Sequence, residues 1–442
     1  MRQGVSTPLR VLEFFAGVGG FRGGLEGFSE TERGGSNDFE VVWSNQYEPS
    51  TKRQHASEVY VQRWGFKGHT NEDINNVLAD PTKFEDIVNA QASVLVGGFP
   101  CQDYSVAKSA NGAAGIEGKK GVLWWSIHET LRRLAVAGQP IRHLILENVD
   151  RLIKSPTKNR GRDFAIILSS LAQLGYAVEW RVVNAADYGY PQRRRRIFIV
   201  AHHENSDAYA KLVDGINTAG GETPDLSRLG VLSTALPWTA TGQVSTFQLA
   251  CSPLEVQAEY ACQKNGSTRF QAAGVMVKGT VTTAGAKAVS SANASEPRML
   301  GDVVRSTDIA TVPSQYFLPE EDVVKWQRHK GSKSAMRTSK SGHSYKYSEG
   351  AMPFPDPLDR PGRTIITAEG GPSPSRFKHV VESADGRLRR LVPDELEEMN
   401  GFPRGFTAIQ GVSDTKRAFF MGNALVVGLV ERIGCALRTA CP

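Results

Sequence analysis

Between residues 10 and 202 the chain alternates short apolar, β-branched runs with segments of helical period, the pattern of βαβ units and a parallel sheet covered by helices. Strands are predicted over 10–14, 39–44, 93–96, 143–146, 177–183 and 197–201, and helices over 20–28, 122–137 and 161–174, with Gly175 stopping the last. At 442 residues the chain exceeds the roughly 250–300 at which a single core stops growing, so a second domain is expected. The pattern lapses after His203. From 218 to 295 Ala, Gly, Ser and Thr dominate without a sustained period, and loops with short strands are expected. Trp238, Phe247, Tyr260, Phe270, Tyr316 and Phe317 argue for an ordered, mostly irregular small domain rather than disorder. Helical character returns at Pro393, with acids in the first turns, and again over 424–437.

No apolar run approaches the ~20 residues that a membrane span needs, and Met1-Arg2-Gln3-Gly4-Val5-Ser6 lacks the apolar core of a signal peptide. Cys101, Cys251, Cys262, Cys435 and Cys441 form no C-x-x-C pair, which points away from a disulfide framework or a zinc site and fits a reducing cytosol. The net charge of +6 permits a polyanionic partner, but clustering is the informative quantity. Two clusters occur: Arg193-Arg194-Arg195-Arg196, and the stretch 325–346, where Lys and Arg mix with Ser, Gly, His and Tyr and no acid occurs. Taken alone, each also reads as a solvated basic surface.

Four segments carry chemistry. The strand 93–96 runs into Gly97-Gly98-Phe99-Pro100-Cys101-Gln102, a proline-stiffened corner that presents Cys101 at the carboxyl edge of the sheet, where open α/β folds bind ligands. The residues alone leave Cys101 open between a buried structural thiol and a nucleophile. Glu147-Asn148-Val149 ends the strand 143–146 at the same edge, as an acid or ring-binding carboxyl or as a helix cap. Phe15-Ala16-Gly17-Val18-Gly19-Gly20 joins the first strand to the first helix, where glycines let a ligand approach the backbone. It departs from the G-x-G-x-x-G dinucleotide fingerprint, leaving open a nucleoside cofactor without a pyrophosphate. Finally, Gln192 and the four arginines enter the strand 197–201, where alternation places Arg194 and Arg196 on one face and Arg193 and Arg195 on the other.

In order and wording these segments resemble the cytosine-C5 DNA methyltransferases of the bacterial modification type. Phe15 through Gly20 is similar to the first motif of that family and Gly98-Phe99-Pro100-Cys101-Gln102 to its nucleophile motif. Gly115-Ile116-Glu117 through Leu123-Trp124 is similar to the fifth, with Lys120 in place of the usual Arg. Glu147-Asn148-Val149 resembles the ENV motif, Gln192-x-Arg194-x-Arg196 the QxRxR motif, Glu395 through Pro403 the ninth, and Gly422-Asn423-Ala424 the last.

The resemblance implies an α/β fold: a Rossmann-like S-adenosylmethionine-dependent methyltransferase sheet with helices on both faces, plus a smaller, mostly irregular or β target-recognition domain. It divides the chain into a catalytic, cofactor-binding domain over 1–202, a target-recognition domain over 203–380 and a C-terminal segment over 381–442 returning to the catalytic domain. The implied reaction moves a methyl group from S-adenosylmethionine, leaving S-adenosylhomocysteine, to C5 of a cytosine flipped out of double-stranded DNA in a specific sequence. No metal is implied. Cys101 would add to C6, Glu147 would hold N3 and the amino group, and Arg194 or Arg196 would stabilise charge at O2.

For the cofactor the resemblance assigns Phe15, Ala16, Gly17, Val18, Gly19, Gly20, Gln46, Tyr47, Asp73, Ile74, Pro100, Leu123, Asn423 and Ala424. Gln46 stands where relatives carry a ribose-binding Glu, so a charge-assisted bond of ~1.5–3 kcal/mol becomes a neutral one of about 1 kcal/mol; Glu48 is the alternative carboxylate. Gln102, Ser105, Lys325, Arg328, Lys330, Lys333, Arg337, Lys340, Arg363, Thr364 and Arg376 are expected at the DNA. The setting implied is a monomer in the bacterial cytoplasm at the nucleoid, away from membranes, with a cognate restriction endonuclease as functional partner. Three alternatives stand beside it. An RNA-directed relative is disfavoured by the sizeable middle region, and a silent DNA-binding scaffold by intact Cys101, Glu147, Arg194 and Arg196. A cysteine hydrolase would need a base near Cys101, and none of the nine histidines sits in a recognisable signature.

Overall fold

A computed structural model of the protein describes residues 7–28, 38–99, 123–217, 224–262, 267–289, 296–338, 342 and 344–441. The chain forms two compact units. One comprises Met1–Tyr188, Arg195–Asn293 and Val427–Pro442, and the other Gly189–Arg194 and Ala294–Val426.

The first unit is built on a single sheet. Its strands are β1 (Leu9–Phe14), β2 (Phe39–Asn45), β3 (His69–Thr70), β4 (Val94–Gly98), β5 (His143–Val149), β6 (Tyr176–Asn184), β7 (Arg195–His203), β8 (Trp238–Gln248), β9 (Ala273–Val277) and β10 (Thr280–Ala288). They lie in the order β3-β2-β1-β4-β5-β7-β6-β9-β10-β8. From β3 to β5 the neighbours run parallel, whereas β7 is antiparallel to both β5 and β6, and β9 is antiparallel to β6. The sheet is therefore mixed rather than wholly parallel: the link from β6 to β7 is too short for the crossover that a parallel return needs. Strand order reverses between β1 and β4, the switch point at which such sheets open a crevice beyond their carboxyl ends.

Burial on both faces explains the continuous apolar runs of the parallel strands, as in β1, which is buried from Val11 to Phe14. Phe14, Leu95, Leu144, Ile167, Trp180 and Ile199 belong to one core cluster, which includes residues of the helices Leu123–Val136 and Arg162–Gln173. Each side chain of that size contributes about 1.5–3 kcal/mol on burial. The region after His203, expected as loops and short strands, instead extends the sheet. Ala177, Leu212, Trp238 and Val275 form a second cluster, and strand alternation puts it on the face opposite Val178, Trp180 and Met276. The first unit thus continues to Asn293, past the change expected at His203. β8 and β10 read WTATGQVSTFQ and TVTTAGAKA, and their small side chains give little apolar signal. The last helix spans Val427–Ala440 rather than 424–437. Among the described residues no single helix is long and apolar enough to cross a membrane.

The second unit has little regular structure: the helices Leu300–Arg305, Glu320–Lys330, Pro393–Met399 and Asp414–Asn423, the hairpin of β11 (Lys333–Thr338) and β12 (Ser344–Glu349), and a two-residue strand pair. Buried ions tie its loops together. Arg389, 1% exposed, meets fully buried Glu395 at 2.6 and 2.8 Å, and Arg417 meets Glu397 at 2.8 Å. Glu397 also accepts the backbone N–H groups of Phe406 and Thr407, satisfying loop donors that no ladder reaches.

Candidate active site

The glycine turn sits at the carboxyl end of β1. Phe15 and Gly17 have φ of 56° and 57° and Gly19 has φ of 86°, so the backbone enters the left-handed region three times before the helix Gly20–Glu26 begins. A side chain at Gly19 would also drive its Cβ into the Trp64 ring. The end of β2 fixes the turn from the side: Ala16 N–H donates to Asn45 O at 2.9 Å and Gly17 N–H donates to Gln46 Oε1 at 2.7 Å. With its carbonyl end so engaged, Gln46 keeps its amide NH2, a donor, as its remaining polar group. The Asn45 amide in turn donates to Thr70 O and Glu72 O, drawing the end of β3 to the same edge. There Asp73 caps the helix Ile74–Ala79 through Asn75 N–H, and Ser126 donates to Asn75 Oδ1, joining the start of the helix Leu123–Val136. Phe15–Gly20, Gln46, Asp73, Ile74 and Leu123 thus converge on one sheet edge, with Tyr47 exposed beside Gln46.

Beneath the turn lies Glu13, fully buried, accepting Tyr60 Oη at 2.8 Å and Arg22 N–H at 3.2 Å. Burial lifts its carboxyl to about 7, against the opposing pull of Tyr60 and Arg22.

Two strands along, Gly98 at the end of β4 is the register partner of Glu147 on β5. Asn148 donates its amide to Phe99 O at 2.6 Å, clamping the chain two residues before Cys101. Cys101 itself, with Pro100, Gln102, Ser105 and Lys340, lies outside the described residues. Glu147 is 9% exposed, and Arg196 Nε stands 2.8 Å from its Oε1. That oxygen is buried and receives no aligned hydrogen bond among the described residues. The site therefore offers a positioned carboxyl oxygen, held by a guanidinium and still able to accept or share a proton. Sequence reasoning missed the roles of Asn45 and Asn148; an Asn at a strand's carboxyl end was the available signal.

Arg194 and Arg196 do not act as a pair. β7 begins at Arg195, and Arg194 belongs to the second unit, 1% exposed, donating to Ile365 O at 3.3 Å and Gly422 O at 2.9 Å. Gln192, fully buried, accepts Ile365 N–H and donates to Asn400 Oδ1. The first half of Gln192-x-Arg194-x-Arg196 thus organises the second unit, while Arg196 alone meets Glu147. Asn423 is exposed and Ala424 half-buried at the end of the helix Asp414–Asn423 in that unit.

The expected DNA contacts divide in the same way. Arg328, Lys333 and Arg337 are exposed, as is Lys325, which pairs with Asp322 at 2.7 Å. Three others are internal braces. Lys330, 1% exposed, donates to Lys378 O at 2.5 Å and Asp356 at 3.3 Å, and burial pulls its ammonium down to about 8. Arg363 meets Asp356 at 2.7 Å, and Arg376 meets Glu349 at 2.5 Å. Thr364 donates to Arg193 O at 2.7 Å. Among the described residues no group of three or more His, Cys, Asp or Glu is placed to hold a metal ion.

A sheet with a strand-order switch point, a glycine turn gripped by the neighbouring strand and a Glu–Arg pair in register with the end of β4 describe an α/β methyltransferase. The family model described as C-5 cytosine-specific DNA methylase matches residues 9–439, and the chain belongs to that family. It is 40% identical over 436 residues to Type II methyltransferase M.Sau3AI of Staphylococcus aureus, covering 97% of this chain and 95% of that one. Type II methyltransferase M.NgoBI of Neisseria gonorrhoeae is 35% identical over 200 residues, 45% of this chain and 52% of that one. The crystal structure of the S. pombe Dnmt2 methyltransferase shares the fold, with a TM-score of 0.54 at 14% identity over 98% of this chain and 99% of that chain.

Proposed function

We propose that the protein methylates C5 of a cytosine flipped out of a specific sequence in duplex DNA, as the modification half of a restriction–modification system. The observation that carries this reading is the buried Oε1 of Glu147, which takes no aligned hydrogen bond among the described residues, 2.8 Å from Arg196 Nε and in register with Gly98, where the Cys101 segment begins.

What supports S-adenosylmethionine at the turn is that a Cβ built on Gly17 meets nothing within 4 Å among the described residues, while Gln46 and Asp73 offer polar groups at the same edge. Phe15–Gly20, Gln46, Asp73, Ile74 and Leu123 would hold it, with Tyr47, Pro100, Asn423 and Ala424 completing the assignment. When bound, it supplies an electrophilic sulfonium methyl group. Methyl transfer needs C5 made electron-rich, and this is the task of the chain's own residues. The Cys101 thiolate forms a bond to C6 of cytosine as the C5–C6 double bond opens, and Glu147 shares its proton with N3. Arg196 stabilises charge at O2 while its guanidinium keeps Glu147 in place. After methylation C5 loses its proton, the Cys101–C6 bond breaks, and the ring regains its double bond.

Duplex DNA incubated with the protein and methyl-labelled S-adenosylmethionine should gain 5-methylcytosine at one sequence by base-resolution mapping, and 5-fluorocytosine DNA should trap a covalent adduct. A Cys101→Ser protein that methylates at the parent's rate would sink the reading, and label appearing in tRNA alone would replace DNA with RNA.

A further inference from the structure

We propose that the β11–β12 hairpin is the base-reading element: one face of the ribbon, carrying Ser334, Met336, Lys346 and Ser348, lies in the major groove of the target, with Met336 and Lys346 as specificity-determining residues. The inference rests on duplex DNA being the substrate and adds which surface reads its sequence.

The pairing register separates two faces. Lys333↔Glu349, Ala335↔Tyr347 and Arg337↔Tyr345 form one, and Ser334↔Ser348, Met336↔Lys346 and Thr338↔Ser344 the other. On the first, Arg337, Tyr347 and Glu349 are engaged by contacts within the protein, although Lys333, Ala335, Arg337 and Tyr345 are exposed. The Arg337 guanidinium lies 3.6 Å from the centroid of the Tyr347 ring, the Tyr347 hydroxyl donates to Glu349, and Arg376 holds Glu349 at 2.5 Å. This face lines a cleft of about 410 Å³ together with Pro374 and Phe377. On the second face every residue is exposed, and Met336, between Ser334 and Thr338 on that face, is 68% exposed.

Chemistry and size select the occupant. The second face has no carboxylate and one cation, Lys346; with Lys333 and Arg337 on the opposite face the hairpin as a whole is cationic, so the ribbon complements a polyanion. Six-residue strands span about 20 Å, and a pair about 4.8 Å apart with its side chains suits a groove about 12 Å wide. Serine hydroxyls donate to or accept from any base edge, a lysine donates to guanine O6 and N7, and an apolar tip packs on a thymine methyl. A protein partner or a second copy of the chain would want a larger apolar patch than one methionine.

The test compares Met336→Ala, Lys346→Ala and the fourfold alanine variant of Ser334, Met336, Lys346 and Ser348 with the parent. All are measured by kcat/KM on the mapped target duplex and on every single-base-pair substitution of it. Val324→Ala, exposed on the preceding helix, is the control. Each single variant should lose about tenfold on the target and relax preference at one base pair, with its melting temperature and S-adenosylhomocysteine affinity unchanged. A fourfold variant that keeps the parent's rate and preference overturns the proposal and leaves the reaction standing. So does one that weakens all sequences equally, because the face would then touch phosphates only. Failure of the parent itself to modify any duplex overturns the reaction and the proposal together.

Discussion

The two units solve the problem of burying a backbone in different ways. In the first, ladders pair the strands and apolar side chains fill both faces, so charged residues inside it, such as Glu13 and Glu147, are few and individually placed. In the second, with few ladders, loop donors and acceptors are met by buried side chains: Glu397 on Phe406 and Thr407, Lys330 on Lys378, Arg390 on Gln315. A buried charge in the loop unit is therefore usually scaffolding, whereas in the sheet unit the buried charges divide: Glu13 and Glu147 stand at the carboxyl edge, and Glu179, which accepts the N–H groups of Val231 and Leu232, braces a helix start.

The sharpest break of that contrast is at the site. Cys101→Ser should lower kcat by ~10⁴-fold or more, and Glu147→Gln by a smaller but large factor, both without shifting the denaturation midpoint. Unchanged turnover in single-turnover methyl transfer would remove them from the chemistry. Next comes Glu395→Ala, which strands the Arg389 guanidinium in the second unit and should cost about 3–5 kcal/mol in urea unfolding. A cost under about 1 kcal/mol would mean that apolar packing, and not the ion pair, holds those loops.

A third test separates Glu13 from both groups. Its folded carboxyl titrates near 7 against 4.5 as the ordinary value, so between those pH values the folded state holds a proton that the unfolded chain releases. The contribution is present in full below about 4.5 and is lost as pH rises through 7, a fall of roughly 3 kcal/mol. Glu13→Gln should abolish that fall, read as the difference between parent and variant in unfolding free energy at pH 5 and pH 7.5. The smallest expected effect is at Gln46. Gln46→Glu can still accept Gly17 N–H and adds a charged acceptor, so S-adenosylhomocysteine should bind about fivefold more tightly by calorimetry. Unchanged or weaker binding would show that the amide NH2 is the group the ligand uses.

Much of the sheet was legible because β1, β2 and β4 to β7 are apolar or β-branched runs between turn signals, with motifs at the carboxyl ends of β1, β4 and β5 and at the start of β7. β8 and β10 were not, since their Thr, Gly and Ala carry little apolar signal, most of β8 being exposed, and the short apolar β9 shows no period of its own. Nor could sequence tell Lys330 from Lys333. Both are lysines in one basic stretch, and only Asp356 and Lys378 O, brought close by the fold, turn the first inward. Alternation likewise grouped Arg194 with Arg196 because it assumed a strand through both, whereas the chain leaves the sheet unit over Gly189–Arg194.

That excursion has a mechanical consequence. Arg194 is moored to carbonyl oxygens of the loop unit, Arg196 is engaged with the carboxylate on β5, and the single residue Arg195 is the whole tether between them. Because side chains alternate along β7, a one-residue slip of its pairing with β5 would turn the Arg196 guanidinium to the other face and off its carboxylate.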